Sequence, residues 1–204
     1  MGVSISMGNT KMGAIQSVSL PSILTCRKDC DCSKICYARK IERLRPAVAR
    51  AYQNNLEILT NDPSRYWREV EASIMTSRFF RYHVSGDIPN TKYLERIVLL
   101  GRKHKHCEEL VFTKKYELVN EWMRTHGYSV DDLPSNLHII YSVWRGLKCP
   151  NPYGFPEAHV RYKDGFTTAS MDAHECGGNC TECATMDSGC WVLKPGEQIV
   201  FNQH

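Results

Sequence analysis

Residues 79–113, FFRYHVSGDIPNTKYLERIVLLGRKHKHCEELVFT, decide the fold class of this 204-residue chain. The first part, residues 79–84, is rich in aromatic and β-branched residues and predicts a strand that ends at Ser85-Gly86-Asp87. Residues 91–103 carry apolar residues at helical spacing, and residues 109–113 return to a strand pattern. A strand, a helix and a second strand in this order predict a βαβ unit with parallel strands.

The alternation of strands and helices continues on both sides of this unit. Further strands are predicted at residues 14–20, 137–143, 158–162, 166–169 and 197–201, and further helices after Pro46, after Pro63 and at residues 116–124. Six or seven strands of this kind predict one α/β domain over residues 1–204. We expect a small, irregular TIM-like β/α barrel with cysteine-rich loops that bind a metallocluster, and an open α/β sheet is the alternative.

The composition is that of an ordinary globular protein. Hydrophobic residues make up 42% of the chain and charged residues 24%, which excludes disorder, collagen and coiled coil. No stretch approaches the roughly 20 apolar residues of a membrane span. Residues 1–20 lack the charged and then apolar pattern of a secretory signal. We therefore expect a cytoplasmic protein without a membrane partner.

Eight of the ten cysteines form two groups of four. The first quartet is Cys26, Cys30, Cys32 and Cys36, and the second quartet is Cys176, Cys180, Cys183 and Cys190. In a reducing compartment, clustered cysteines indicate metal binding more than disulfides. The two remaining cysteines, Cys107 and Cys149, are expected to be small buried hydrophobes.

The spacing within the quartets favours an iron–sulfur cluster. Zinc sites pair two Cys-x2–4-Cys motifs across a longer spacer, and neither quartet has that pattern. Several cysteines within one short loop are typical of iron–sulfur ligation, and Gly177 and Gly178 allow the second loop to wrap tightly. We expect one or two clusters of the 4Fe-4S type, with zinc as the lesser alternative. Because the ends of a barrel chain often meet, both quartets could also share one centre.

The second quartet also matches a known enzyme signature. Its Cys176-x3-Cys180-x2-Cys183 spacing resembles the radical-SAM motif, in which three cysteines bind a cubane and leave one iron open for S-adenosylmethionine. In that family the motif follows the first strand, whereas here it lies near the C-terminus. A fourth cysteine, Cys190, is available for the open position. Radical-SAM chemistry is therefore kept as an alternative.

Positive charge is concentrated in the first quarter of the chain. Residues 1–50 contain nine Lys and Arg against three acids, a net charge of +6. Such a patch attracts nucleic acid, and an equally good interpretation is charge balance around thiolates. The candidate nucleic-acid contacts are Arg27, Lys28, Arg39, Lys40, Arg43 and Arg45.

Candidate catalytic residues follow the predicted strands. His83, Ser85 and Asp87 end one strand, Lys114 ends the next, and Arg145 follows a third. In β/α folds the carboxyl ends of the strands carry the active site. A carboxylate that holds Mg or Mn, an imidazole and a lysine are the groups that phosphodiester hydrolysis needs. The alternative is that Gly86-Asp87 is only a capped turn and that His83 is a hydrogen-bonded core residue.

Several segments together resemble the "gene product 88" domain family of bacteriophages and mobile elements, across nearly the whole chain. They are Gly8-Asn9-Thr10-Lys11, Leu20-Pro21, Cys36-Tyr37-Ala38, the run Arg81 to Asp87, Phe112-Thr113-Lys114, the Cys180 to Trp191 region and Val200-Phe201-x2-His204. The family has no established activity, so the resemblance implies a phage setting in a bacterial host and a metallocluster. Cys30 is an addition to the family pattern.

These observations predict a phage iron–sulfur protein that acts on nucleic acid, most simply a metal-dependent nuclease. The alternatives are a radical-SAM-like enzyme and a non-enzymatic binding module that a cluster stabilises.

Overall fold

An eight-stranded, mostly parallel sheet forms the centre of the fold, and the computed structural model describes residues 2–203. The strands are β1 (Ile5–Ser6), β2 (Gln16–Val18), β3 (Phe79–Tyr82), β4 (Glu108–Thr113), β5 (Leu137–Ser142), β6 (Glu157–Arg161), β7 (His174–Glu175) and β8 (Gln198–Asn202). The helices are α1 (Ser22–Thr25), α2 (Tyr37–Leu44), α3 (Pro46–Asn61), α4 (Pro63–Met75), α5 (Thr91–Lys103), α6 (Tyr116–His126) and α7 (Cys180–Thr185). Short 3-10 turns lie at Asp31–Ile35, Val130–Asp132 and Gly189–Trp191.

The predicted βαβ unit is present as β3, α5 and β4. The strand order in the sheet is β1-β2-β3-β4-β5-β6-β8-β7, and every neighbouring pair is parallel except β1 and β2. Six strands from β2 to β8 therefore lie side by side in chain order, with only β7 displaced to the edge. This arrangement confirms the α/β class.

The sheet is open, so the predicted barrel closure is not confirmed. Among residues 2–203, no strand pairing joins β1 at one edge to β7 at the other, and each of these strands has only two residues. The two ends of the sheet approach each other through other contacts instead. The Cys180 N–H donates to the Lys11 carbonyl at 2.9 Å, and Thr181 Oγ1 donates to the Met12 carbonyl at 2.6 Å. The strand pairing is that of an open α/β sheet, the alternative to the barrel in the sequence analysis.

Both faces of the sheet are buried, as in other parallel sheets. Adjacent residues of a strand face opposite sides, so Val111 packs into the larger core with Phe80 and Leu94, whereas Leu110 packs into a smaller second core. The larger core lies on the side of α4, α5 and α6. The second core is formed by residues that include Met12, Leu110, Ile140, Trp191 and Ile199.

The local signals for helix α4 are confirmed in detail. Asp62 caps α4 by accepting the Arg65 N–H at 3.0 Å, and the predicted stripe Tyr66, Trp67, Val70 and Ile74 is buried.

Residues 166–169 were expected to be a strand and are not, because the chain there turns around Asp164 and Phe166 instead of pairing with β6. None of the helices in the described part of the chain has the length and apolar character needed to cross a bilayer.

Candidate metal centres formed by the cysteine quartets

The first quartet lies in the connection that follows β2, the first parallel strand. Cys26 ends α1, its N–H donating to the Ser22 carbonyl at 3.1 Å, and Cys36 directly precedes α2. Between them, Cys30 caps the 3-10 turn, and the Cys32 N–H donates to Cys30 Sγ at 3.3 Å. One short loop with helical turns at both ends thus carries all four thiols.

Charged neighbours act on the thiols of the first quartet. Burial and, to a lesser degree, the Asp87 carboxylate raise the pKa of Cys26 to about 12, and the Lys114 ammonium opposes both. A hydrogen bond between the Cys30 and Cys32 side chains lowers the pKa of Cys30 and raises that of Cys32. Lys114 also favours the thiolate form of both residues. It is therefore a cation shared by three of the four thiols.

The second quartet packs against the second core. Cys176 follows β7 and donates its N–H to the Val200 carbonyl at 2.9 Å. Cys180 and Cys183 lie in α7, and Cys190 lies in the turn Gly189–Trp191. Gly189 has a φ of +60°, and a Cβ there would lie 3.1 Å from Cys183 Sγ, so a small residue lets the turn approach the thiol.

Arg81 acts electrostatically on the second quartet, as Lys114 does on the first. Burial raises the pKa of Cys190 to about 12 and also raises that of Cys180, and Arg81 opposes both increases. The Arg81 guanidinium lies 4.8 Å from the ring centroid of Phe112, which packs against the second core. Its Nε is buried and has no hydrogen-bond partner within residues 2–203.

The two quartets are neighbours. Tyr37 directly follows Cys36, and its hydroxyl donates to the Val84 carbonyl. Electrostatic interactions link this hydroxyl to Cys36 of the first quartet and to Cys180 of the second. All ten cysteines are free of disulfides. In the described residues, no three His, Cys, Asp or Glu side chains converge tightly enough to hold a single metal ion.

Asp87 is buried and fully engaged. Its Oδ1 accepts from Thr113 Oγ1 at 2.6 Å and from the Ile88 N–H at 2.8 Å, and its Oδ2 accepts from the Lys114 N–H at 2.9 Å. Burial raises the pKa of the carboxyl, and the Thr113 hydrogen bond opposes this. Its own N–H donates to Thr25 Oγ1 at 3.1 Å, one residue before Cys26. Asp87 therefore ties the end of β4 to the cysteine loop.

Ser85 and Gly86 also pack against the first cysteine loop. Ser85 Oγ donates to Glu42 Oε1 at 2.7 Å, and the same carboxylate oxygen accepts the Ser22 N–H at 3.2 Å. Gly86 has a φ of +88°, and a Cβ there would lie 2.7 Å from both Leu20 O and Thr25 Oγ1. The turn fits only because residue 86 is a glycine.

His83 faces a different part of the molecule. Its φ is +60°, and its Nε2 lies 2.9 Å from Tyr93 Oη, which in turn lies 3.0 Å from Tyr66 Oη. Burial lowers the pKa of His83 to about 3, so the ring is neutral at pH 7. His83, Ser85 and Asp87 thus contact three different partners: Tyr93, Glu42 and Thr113 respectively.

The six candidate nucleic-acid contacts have unequal surroundings. Arg27 is largely internal, because it pairs with Asp29 at 2.6 Å and donates to the Lys114 carbonyl at 2.8 Å. Arg39 is half-buried and acts electrostatically on Cys26. The exposed residues, for which the described chain shows no ion pair, are Lys28, Lys40, Arg43 and Arg45.

The sequence interpretation missed Arg81, although this residue lies within the quoted family segment. A charged residue in the middle of an apolar strand could have indicated it. Because adjacent strand residues point to opposite faces, Arg81 lies on the face of the sheet away from Phe80 and Tyr82. His204, the last residue of the family resemblance, lies outside the described residues.

Comparison with known proteins identifies the family. A family model described as Gene product 88 matches residues 4–187, which include the first quartet, Arg81, Asp87 and three cysteines of the second quartet. No curated protein and no solved structure matches the chain. Because the family model covers well over half of the sequence, the chain belongs to the gene product 88 family.

Proposed function

We propose that this protein is an iron–sulfur protein with two clusters, one in each cysteine quartet, and that it acts on nucleic acid in the reducing cytoplasm of a bacterial host. One observation carries the first part of this proposal. A cation lies near each quartet: Lys114 favours the thiolate forms of Cys26, Cys30 and Cys32, and Arg81 favours those of Cys180 and Cys190. Ten free cysteines suit a reducing compartment.

The number and type of the donors support this assignment, because each quartet supplies the four thiols that a [4Fe–4S] cluster takes. Cys26, Cys30, Cys32 and Cys36 would hold one cluster, and Cys176, Cys180, Cys183 and Cys190 would hold the other. Metal binding would release the protons of these partly buried thiols, and a bound cation would offset the burial that raises the pKa values of Cys26 and Cys190. A bound iron–sulfur cluster supplies one-electron transfer. Lys114 and Arg81 would offset the negative charge of four thiolates, and the second core would shield the second centre from water.

The spacing of the cysteines supports iron–sulfur over zinc. Each quartet lies within one short stretch of chain and lacks the two separated knuckles of most structural zinc sites. Zinc in place of iron is the outcome that would change the assignment.

The nucleic-acid part of the proposal depends on the outer face of α2 and the start of α3. Lys40, Arg43 and Arg45 are exposed there without an acidic partner among residues 2–203. Glu42, the acid of α2, turns inward to Ser22 and Ser85. The exposed charges of this face, at Lys40, Arg43 and Arg45, are therefore all positive, as a surface that binds phosphates requires.

Phosphodiester cleavage by Asp87, His83, Ser85 and Lys114, aided by Mg or Mn, stays a prediction. The carboxylate oxygens of Asp87 accept three hydrogen bonds from Thr113, Ile88 and Lys114, which favours a scaffold role for this residue. Asp87 and Lys114 both act electrostatically on Cys26 of the first quartet, and Lys114 also acts on Cys30. We therefore assign binding, and not cleavage, as the supported part of the nucleic-acid function.

Radical-SAM-type chemistry is the second candidate, and a feature of the fold favours it. The first quartet follows the first strand of six parallel strands that lie side by side in chain order, where that family places its cluster loop. The matching cysteine spacing, however, belongs to the second quartet. Binding of S-adenosylmethionine to the cluster-loaded protein distinguishes this candidate from a purely structural or electron-transferring centre.

The test of the cluster assignment is anaerobic purification followed by iron and sulfide analysis and Mössbauer spectroscopy. Two [4Fe–4S] clusters would give about eight iron atoms and about eight sulfides per chain. Stoichiometric zinc without sulfide would overturn the assignment.

A further inference from the structure

A continuous row of aromatic and cationic side chains lies at the carboxyl ends of β4, β5 and β6. Lys114 follows β4, Trp144 and Arg145 follow β5, and Tyr162 and Phe166 follow β6. We name these five residues the stacking surface. They come from three loops at the edge of a β/α sheet where ligands usually bind.

Each member of the stacking surface contacts the next. Lys114 Nζ lies 5.2 Å from the Trp144 ring centroid, and the Trp144 and Tyr162 rings meet edge to face at 6.1 Å. The Arg145 guanidinium lies 4.6 Å from the Tyr162 ring and 4.1 Å from the Phe166 ring. The row therefore places three aromatic rings in contact with two positive charges.

Hydrogen bonds hold this row in place. The Arg145 N–H donates to Tyr162 Oη at 2.8 Å, and its guanidinium donates to Asp164 at 2.9 Å. Trp144 Nε1 donates to Ser142 Oγ at 3.1 Å, and the Tyr162 N–H donates to the Phe166 carbonyl at 2.8 Å. A ligand that stacks here would find rings that are already ordered, which lowers the entropic cost of binding.

The stacking surface is open to solvent although it is aromatic. Phe166 is 42% exposed, Arg145 is exposed, and Trp144 and Tyr162 are half-buried. The other three tryptophans, Trp67, Trp122 and Trp191, are all buried. Lys148 and Lys163, in the same loops, are exposed without an ion-pair partner within residues 2–203.

We propose that the stacking surface binds single-stranded nucleic acid by stacking unpaired bases on Trp144, Tyr162 and Phe166. The inference rests on the proposed nucleic-acid function and names its substrate class. Exposed aromatic rings beside a line of cations are the groups that bind unpaired strands without sequence preference. A duplex keeps its base faces stacked inside, so it gains nothing from these rings. Lys148 and Lys163 would contact the phosphates.

Tryptophan fluorescence tests this proposal, because Trp144 is the one tryptophan of the chain that is not buried. A short single-stranded DNA or RNA oligonucleotide should quench the emission at low salt, and the duplex of the same sequence should not. The quenching should disappear in the Trp144→Phe variant. If single strand and duplex quench equally, the inference is wrong.

Affinity measurements with a labelled single strand complete the test. Phe166→Ala should weaken binding about tenfold, as loss of one stacked base does. Leu99→Ala is the matched control, since Leu99 is exposed to the same degree, 43%, on α5. The Phe166→Trp variant should restore binding, and thermal melts should show that each variant is folded.

The outcomes separate this inference from the proposed function. If Trp144→Ala and Phe166→Ala bind the single strand like wild type while Arg43→Ala binds it less tightly, the nucleic-acid function stands and the stacking surface is overturned. If wild-type protein retains no DNA or RNA at low salt, the nucleic-acid function fails, and the stacking surface fails with it.

Discussion

Asp87 and Thr113 join the ends of two neighbouring strands: Thr113 Oγ1 donates to Asp87 Oδ1 across 2.6 Å, and both side chains are buried. The other carboxylate oxygen accepts the Lys114 N–H, so Asp87 also fixes the backbone from which the Lys114 ammonium reaches the first quartet. Hydrogen bonds to a buried carboxylate are strong, because no water molecule can reach the charge and take the place of a lost donor. Asp87 therefore controls the local geometry around Cys26.

Replacement of Asp87 by Asn tests this scaffold role. The amide matches the shape of the carboxylate, but its NH2 group must face a donor, either Thr113 and Ile88 or Lys114. We expect a loss of about 1–3 kcal/mol in the free energy of unfolding and a loss of iron from the first quartet. Urea unfolding and iron analysis measure these effects. A stable, iron-replete variant that has lost a cleavage activity would instead indicate a catalytic Asp87.

Replacement of Gly86 by Ala should disrupt the same turn. The new Cβ would lie 2.7 Å from two oxygen atoms, Leu20 O and Thr25 Oγ1, and the φ of +88° is unfavourable for alanine. We expect a destabilisation of about 2 kcal/mol or more, from strain and overlap together. Gly127→Ala is the control, because its φ is +65° and no atom lies within 4 Å of the new Cβ. Equal unfolding midpoints for the two variants would argue against close packing around residue 86.

Single serine variants decide how many centres the chain holds. If each quartet binds its own cluster, Cys26→Ser and Cys180→Ser should each remove about half of the iron, and the double variant should remove nearly all of it. If the quartets share one centre, either single variant should remove all of the iron. Cys149→Ala is the control, because Cys149 lies outside both quartets. Iron analysis of anaerobically purified proteins, with thermal melts, gives the answer.

Glu109 makes the stability of the fold depend on pH. Burial raises its pKa to about 7, the Tyr82 hydrogen bond opposes this increase, and Oε1 has no partner among the described residues. The folded state thus holds a proton that the unfolded chain releases near pH 4.5. Its stabilising contribution is complete below pH 4.5 and is lost as pH rises through 7. The loss is on the order of 3 kcal/mol.

The Glu109→Gln variant checks this dependence. An uncharged amide cannot ionise, so the variant should unfold at a higher temperature than wild type at pH 8, and the difference should shrink toward pH 5. Melting temperatures measured across this range supply the comparison. The same difference at both pH values would show that Glu109 does not carry the pH dependence.

Local signals account for what the sequence predicted correctly. Helix α4 begins where Asp62 and Pro63 place it, and α5 runs over the predicted residues because its apolar stripe and its end are both local. Local signals do not show whether the sheet closes into a barrel. Closure depends on contacts between residues as distant in sequence as Lys11 and Cys180. Phe166 has strand propensity and yet packs against Arg145, a partner 21 residues away.

The candidate site shows the same division. Strand-end rules placed Asp87 and Lys114 at one edge of the sheet, next to each other, as the structure has them. The strand-end rules say nothing about hydrogen-bond partners. The sequence pattern is therefore the same for a buried structural aspartate, as Asp87 is, and for an exposed catalytic one. The strand-end rule covers only residues that follow a strand, and Arg81 lies within β3. Its position near the second quartet depends on the packing of Phe112.

Salt dependence tests the basic face of α2 and the start of α3. Each phosphate contact releases bound counterions, so affinity for DNA or RNA should fall steeply as salt rises. Arg43→Ala and Arg45→Ala should each reduce the slope of log affinity against log salt by about one, if each arginine contacts one phosphate. Arg124→Ala is the control, since this exposed arginine is paired with Glu121 at 2.6 Å on α6. An unchanged slope in both Arg43→Ala and Arg45→Ala would mean that the positive face only balances the charge of the nearby thiolates.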